Sequence, residues 1–158
     1  MAAVLAIGAA VFLLADSLGG NKDLGAAPDF TAETAAGEAF TLSAQYKAGG
    51  VALIFFDRTA SDGKALLTDL AAAKKDTDVT CVLISKGEQK GEDILTYLKE
   101  TGLSADVVIA GSDGTICKKY NVETCPVTYF INTEGSVRAV SLSSLTPSAA
   151  QKYIGYIK

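Results

Sequence analysis

The sequence contains no histidine, no tryptophan and only three cysteines. Histidine is the commonest general base and a usual ligand of zinc and haem, so its absence excludes Ser–His and Cys–His nucleophile pairs within this chain. The cysteines, Cys81, Cys117 and Cys125, are too few for a four-thiolate metal site, and no two of them form a CxxC motif. We therefore expect neither a metal centre nor a cofactor.

Charge and length narrow the remaining function classes. The 158 residues include 14 Lys and Arg against 18 Asp and Glu, which gives a net charge of −4. Nucleic acid favours clustered basic side chains, so we predict that this protein does not bind it. Apolar residues make up 49% of the chain, enough for the core of one domain with a small appendage.

An uncharged apolar run, residues 2–15, opens the chain. The run is shorter than the roughly 20 residues of a membrane span but has the length of a signal-peptide apolar region. We predict that residues 1–17 are a signal peptide or a membrane anchor, with residues 1–15 contacting the membrane. The alternative is a helix buried against the domain. A signal peptide usually has basic residues before its apolar region, and here there are none. Truncation of the sequence at its N-terminus would account for their absence. Targeting of either kind places the domain outside the cytoplasm (periplasm, lumen or cell surface), where disulfides persist.

The rest of the chain reads as a linker and one α/β domain. The Gly-rich segment 18–27 predicts a linker. Residues 28–158 are predicted to form the domain, which begins with an extended lead-in and a turn at 47–50. Apolar runs and helical spacing then predict alternating elements: strands at 51–56, 79–84, 107–110, 127–132 and 137–142, and helices at 61–75, 94–102, 115–120 and from Pro147 onward. Parallel crossovers followed by a hairpin indicate a mixed central sheet with helices on both faces.

The segment 51–70 contains a buried strand, a sharp turn and the start of a helix. Chemistry in α/β domains is often placed at such a turn, because the helix N-terminus offers unpaired N–H groups. The turn nevertheless has no obvious nucleophile or metal ligand. We expect Ser61 and Asp62 to cap the helix. Asp57 and Arg58 are expected to form a solvated ion pair, with a ligand-contacting pair as the alternative.

Several segments, in this order and spacing, resemble the extracytoplasmic thioredoxin-like family of the TlpA/ResA type, within the redoxin and AhpC/TSA group. The resemblance covers about residues 28–158 and rests on Pro28-Asp29-Phe30, Thr41-Leu42-Ser43, Phe55-Phe56, residues 92–103 and residues 113–135, which include Cys125-Pro126-Val127-Thr128-Tyr129-Phe130. The resemblance implies a thioredoxin-like three-layer sandwich. It also implies a cis peptide bond before Pro126, beside the family's redox motif.

The chain departs from this family at the redox motif itself. Members read roughly F-W-A-x-W-C-x-x-C-R where this chain has residues 55–64. Aligned without gaps, Ala60 stands at the first cysteine and Gly63 at the second. Neither can supply the low-pKa thiolate or the resolving thiol that disulfide exchange needs. Ser61 is no substitute, because a hydroxyl without a base is a weak nucleophile.

The remaining cysteines differ in their surroundings. Cys81 lies in the middle of a predicted strand and is expected to behave as a small apolar residue. Cys117 and Cys125 belong to the segment that leads to Pro126, and a bond between them would close a nine-residue loop. Closing such a loop with a disulfide stabilises the folded protein by roughly 2.5 kcal/mol. We expect this disulfide to form outside the cytoplasm, as a structural staple rather than a relocated redox centre.

Two main functions remain open. The first is a membrane-tethered, non-catalytic module that binds a protein partner, such as a membrane complex, through a groove formed by Thr59, Ser61, Asp62 and Pro126. The second is a thiol–disulfide oxidoreductase in which Cys125 attacks and Cys117 resolves. A small-ligand pocket around Thr59 and Pro126 is a third hypothesis, by analogy alone. The fold does not decide among them, but Ala60 and Gly63 favour the first.

Overall fold

The computed structural model describes residues 21–87, 90–111 and 114–158. The apolar run 2–15, and with it the predicted targeting segment, lies outside these residues. Within the described part of the chain, no helix is long and apolar enough to cross a membrane.

A five-stranded mixed sheet forms the centre of the domain. Its strands are β3 (Val51–Phe56), β4 (Thr80–Lys86), β5 (Val107–Gly111), β6 (Val127–Ile131) and β7 (Val137–Ser141), in the order β5-β4-β3-β6-β7. The strands β3, β4 and β5 are parallel, whereas β6 and β7 are antiparallel additions. A separate antiparallel pair is formed by β1 (Thr31–Glu33) and β2 (Ala39–Thr41). The helices are α1 (Leu42–Gly49), α2 (Gly63–Lys74), α3 (Gly91–Thr101), α4 (Thr115–Lys119) and α5 (Pro147–Gly155).

Strand β3 is buried along its whole length, as its uninterrupted apolar run predicts. Successive side chains of a strand point to opposite faces, so β3 contributes to two apolar clusters. Leu53 and Phe55 pack with residues of β1, β2 and α4. Ile54 and Phe56 pack with residues of α2, α3 and α5. The predicted α/β fold, a mixed sheet covered on both faces, is confirmed.

The extended lead-in predicted before β3 is wrong in part, because residues 42–49 form helix α1. Only Leu42 and Gly49 of this helix are buried, so its sequence lacks the repeated apolar positions that mark a helix. The helix ends at Gly50, whose φ of +80° favours glycine.

The ends of two other helices follow their sequence signals. The Thr146 hydroxyl accepts a hydrogen bond from Ala149 N at 3.2 Å, with Pro147 in the first turn of α5. Gly102 ends α3 with a left-handed φ of +68°.

Residues 21–27, which fall within the predicted linker, lie along the outer side of β7. Leu24 N donates to Val137 O at 2.9 Å, and Val137 N donates to Gly25 O at 2.8 Å. The Arg138 guanidinium donates to the side chain and the carbonyl of Asn21. The chain is therefore hydrogen-bonded to the domain before Pro28.

Candidate functional site

The candidate site lies where β3 ends and β6 begins. These strands are antiparallel, with Phe55 opposite Val127, so the turn after β3 and the loop before β6 meet at one end of the sheet. The Cys125–Pro126 peptide bond in this loop is cis. Cys125 is half-buried and Pro126 is buried. The two segments of the predicted groove, the turn 57–62 and the Cys125–Pro126 pair, therefore lie at the same end of the sheet.

The carboxylate of Asp57 closes the turn after β3. It accepts hydrogen bonds from the backbone N–H of Thr59 at 2.9 Å and from its hydroxyl at 2.7 Å. These two bonds hold the pKa of Asp57 below its ordinary value, and Lys86 and Arg58 contribute weaker attraction. The expected Asp57–Arg58 ion pair does not form; among the described residues, the salt bridge joins Lys74 to Asp106 at 2.5 Å.

Helix α2 begins without the side-chain caps that we predicted. Asp62 occupies the N-cap position, but its backbone is helical (φ −83°, ψ −11°) and its side chain makes no capping hydrogen bond. An N-cap residue usually has extended dihedral angles, which direct its side chain back to the first free N–H groups. Asp62 instead accepts a hydrogen bond from the Ser61 hydroxyl at 3.2 Å. Both residues are exposed.

The first residue of α2, Gly63, lies directly against the ring of Phe56. A Cβ added to Gly63 would lie 2.9 Å from Cδ2 of Phe56 and closer still to Cε2. The Phe56 ring is 1% exposed, and its centroid lies 5.9 Å from that of Tyr97 in α3. Position 63, which the resemblance aligns with the second cysteine, therefore has no room for a side chain while Phe56 keeps this position. Ala60, at the first cysteine position, is half-buried in the turn.

Lys86, at the end of β4, is a site residue that sequence reasoning missed. Ser85 is the register partner of Phe56, so Lys86 reaches just beyond the end of β3. Its ammonium donates a hydrogen bond to the Glu123 carbonyl and so links β4 to the loop before Pro126. It also lowers the pKa of both Asp57 and Cys125. The available sequence signal was a lysine directly after an apolar strand. Only the order of the strands in the sheet shows that this lysine lies beside the end of β3.

The thiol of Cys125 is a poor acid in this setting. Burial raises the pKa of Cys125 from its ordinary 9.0 to about 11, and the opposing attraction of the Lys86 ammonium is weaker. Cys117 is buried in the apolar cluster against which Cys125 packs. All three cysteines are free thiols in the structure, so the Cys117–Cys125 disulfide stays a prediction.

Cys81 is a core residue, as predicted. Its side chain is 3% exposed and packs on the face of the sheet that carries α2, α3 and α5. Burial raises the pKa of Cys81 to about 12. Across the described residues, no group of three or more His, Cys, Asp or Glu side chains could hold a metal ion.

A parallel β3-β4-β5 core, the antiparallel β6–β7 hairpin and a cis-proline beside the N-terminus of α2 define a thioredoxin-like protein. The chain belongs to the AhpC/TSA family, whose model matches residues 25–140. The thiol-disulfide oxidoreductase ResA of Bacillus subtilis is 30% identical over 152 residues, which cover 94% of this chain and 82% of ResA. The family predicted from the sequence is confirmed.

Solved structures share the fold. A secreted Mycobacterium tuberculosis disulfide oxidoreductase superposes with a TM-score of 0.70 at 18% identity, covering 81% of this chain and 96% of that structure. The exposed lipoprotein thioredoxin Etrx1 of Streptococcus pneumoniae gives a TM-score of 0.65 at 24% identity, covering 82% of this chain and all of the other. StoA of Bacillus subtilis gives a TM-score of 0.65 at 20% identity, and the match covers 82% of this chain and 98% of StoA. The thioredoxin-like fold is thereby established.

Proposed function

We propose that this chain is a thioredoxin-like module that binds a protein partner outside the cytoplasm and does not exchange disulfides. One observation carries the proposal. The positions aligned with the family's two cysteines hold Ala60 and Gly63, and the ring of Phe56 occupies the space beside Gly63. Disulfide exchange needs a nucleophilic thiolate and a resolving thiol, and this turn supplies neither.

The acidity of Cys125 supports the same conclusion. A thiol with a pKa of about 11 is ionised in roughly one molecule in ten thousand at pH 7. Thiol–disulfide exchange proceeds through the thiolate, so attack by Cys125 would be correspondingly slow. The Lys86 ammonium acts in the activating direction, but burial outweighs it.

The proposed groove offers a partner polar groups at the turn after β3. Ser61 and Asp62 are exposed, Pro126 is buried, and Thr59 is held by two hydrogen bonds to Asp57. We propose that a partner segment binds between this turn and the Cys125–Pro126 pair. A small ligand is the alternative occupant.

Tethering by residues 1–17 and a partner within a membrane complex complete the proposal. It is supported by the apolar run 2–15 and by relatives described as a secreted oxidoreductase and an exposed lipoprotein. Protease treatment after any outer membrane has been permeabilised, with the membrane around the cytoplasm still closed, tests the location. We expect the untreated chain to sediment with membranes and its domain to be digested under these conditions, whereas protection until the cytoplasm itself is opened contradicts an extracytoplasmic domain.

A second candidate is a thiol–disulfide oxidoreductase, favoured by the packing of Cys117 and Cys125 on one apolar cluster beside Pro126. In that reaction the Cys125 thiolate attacks a substrate disulfide, forms a mixed disulfide and releases one substrate thiolate. The Cys117 thiolate then attacks Cys125, which releases the second substrate thiolate. The substrate disulfide is reduced and the two protein thiols are oxidised to a disulfide.

Reduction of insulin by dithiothreitol separates the two candidates. We expect the wild-type chain and Cys125→Ala to give the same rate as the uncatalysed reaction, with ResA of Bacillus subtilis as positive control. Cys81→Ala is the matched control, because it removes a thiol remote from Pro126 in sequence. Wild-type activity that is lost in Cys125→Ala but kept in Cys81→Ala would overturn the proposal of a non-catalytic module.

A further inference from the structure

The segment 123–125, which leads from helix α4 to Pro126, has few bonds to the rest of the domain. Val122, just before it, is hydrogen-bonded to the last turn of α4 at 2.9 Å. Among the described residues, a single hydrogen bond reaches the segment itself: Lys86 Nζ donates to the Glu123 carbonyl. We call residues 123–125 the proline loop.

The side chain of Lys86 crosses the end of strand β3 to make this bond. In the sheet order β4-β3-β6, β3 lies between the strand that carries Lys86 and the strand that follows the proline loop. Neighbouring strands are about 4.8 Å apart, so β4 and β6 are separated by roughly 10 Å. Ser85 is the register partner of Phe56, the last residue of β3, so Lys86 lies one residue beyond that end. The ammonium therefore passes the start of the turn 57–62 on its way to the loop.

The charges around the ammonium agree with this position. Lys86 lowers the pKa of Asp57, in the turn, and the pKa of Cys125, in the proline loop, so its charge lies within reach of both segments. Among the described residues, no carboxylate is in ion-pair contact with Lys86. The Glu123 carbonyl is therefore the group to which the ammonium is bonded.

We propose that Lys86 is a positioning residue that holds the proline loop at a fixed distance from the turn 57–62. Glu123 and Thr124 are exposed, so burial does not fix the loop at these residues. A hydrogen bond from a charged donor is roughly twice as strong as one from a neutral donor. Without the ammonium, the loop should move while α4 and β6 keep their places.

The consequence for binding rests on the proposed function, in which a partner segment lies between the turn 57–62 and the Cys125–Pro126 pair. Such a segment contacts both sides of the groove at once. A loop that is already ordered loses less conformational entropy on binding than a loop that becomes ordered with the partner. Lys86 therefore favours binding through the order of the proline loop.

NMR relaxation of the full chain in detergent micelles, without a partner, tests the proposal. The readout is the order parameter of the backbone amides of Glu123, Thr124 and Cys125. We expect values of about 0.85 in the wild type, as in rigid backbone, and values below about 0.6 in Lys86→Met. Lys86→Arg keeps a charged donor and should restore the values of the wild type.

Two further measurements separate positioning from a general loss of structure. Lys64→Met is the matched control, because it removes the same charge from an exposed residue in the first turn of α2. It should leave the order parameters of the proline loop unchanged. The ¹³C resonance of the Glu123 carbonyl reports the hydrogen bond itself. It should move in Lys86→Met and stay near the wild-type position in Lys86→Arg.

Four results would overturn the proposal. Order parameters below about 0.6 in the wild type would show that the loop is not held. Equal values in wild type and Lys86→Met would show that packing alone fixes it. A Lys86→Met chain that does not fold would show that Lys86 supports the whole domain. The same effect from Lys64→Met would show that loss of a positive charge, without loss of the hydrogen bond, frees the loop. None of these results depends on disulfide exchange, so the insulin assay tests the proposed function separately.

Discussion

The ring of Phe56 lies where a side chain on Gly63 would have to be, with Cδ2 only 2.9 Å from the position of an added Cβ. Both residues are buried, one at the end of β3 and the other at the start of α2. The contact fixes how closely the helix approaches the strand. Position 63 therefore not only lacks a cysteine in the sequence, but also has no room for a cysteine side chain while Phe56 keeps this position.

We therefore expect Gly63→Ala to destabilise the protein. Alanine is usually better than glycine in a helix by roughly 0.5–1 kcal/mol, but here its Cβ forces the Phe56 ring to move, and overpacking costs about 1–3 kcal/mol. Urea unfolding should show a lower midpoint for Gly63→Ala. Gly155→Ala is the matched control, since an added Cβ there meets nothing within 4 Å; equal midpoints for the two variants would contradict this packing argument.

The pH dependence of stability should contain a contribution from Cys81. The pKa of this thiol rises from an ordinary 9.0 to about 12 in the folded protein, so the unfolded chain loses the proton first as the pH rises. The contribution is fully present below pH 9 and is lost between about pH 9 and 12, at most roughly 4 kcal/mol in all.

Urea unfolding at several pH values between 8 and 11 measures this contribution. The free energy of unfolding should fall less steeply with pH in Cys81→Ala than in wild type, even though the variant starts lower because a buried sulfur has been removed. Ionisation of Tyr129, whose pKa is also raised to about 12, affects both proteins alike. Parallel curves for wild type and Cys81→Ala would show that Cys81 ionises without penalty.

The hydroxyl of Thr128 has no hydrogen-bond partner among the described residues, although the residue is completely buried in β6. A buried hydroxyl left unpaired costs about 1–3 kcal/mol. We expect Thr128→Val to raise the urea midpoint or leave it unchanged. Thr128→Ser keeps the hydroxyl and removes a methyl group, so it should lower the midpoint. A marked loss of stability in Thr128→Val would reveal a partner for this hydroxyl.

The Cys117–Cys125 disulfide can be tested by counting thiols. In protein isolated from an oxidising compartment and denatured without reductant, we expect one free thiol, that of Cys81, rising to three after reduction. The bond should add roughly 2.5 kcal/mol of stability. Cys117→Ser should leave two free thiols before reduction. Three free thiols in the unreduced wild type would show that the Cys117–Cys125 disulfide does not form, in agreement with the free cysteines of the structure.

Sequence patterns predicted the sheet well, because its strands are apolar and lie between helices. The run from Val51 to Phe56 is buried at every position, as expected for a central strand covered on both faces. Helix α1 was missed for the opposite reason, since only its first and last residues are buried. Local patterning therefore identifies an element only when most of its contacts are with the core.

The sequence predicted only those features of the candidate site that depend on residues close together in the chain. The order of residues around the turn was enough to align Ala60 and Gly63 with the family's two cysteine positions. The roles of Lys86 and Phe56 depend on neighbours that are distant in sequence: the Glu123 carbonyl for Lys86, and Tyr97 for Phe56. The failed cap at Asp62 depends on a backbone angle that composition does not reveal.

The position of residues 21–27 has a practical consequence. These residues hydrogen-bond along β7, and an uncovered edge strand is a template for pairing with other molecules. A shortened chain that begins at Pro28 would leave the N–H and C=O groups of Val137 facing solvent, together with the apolar surface beneath Leu24. Such a protein should still fold around its sheet but self-associate with rising concentration. The short N-terminal segment therefore serves as a solubility element of the domain.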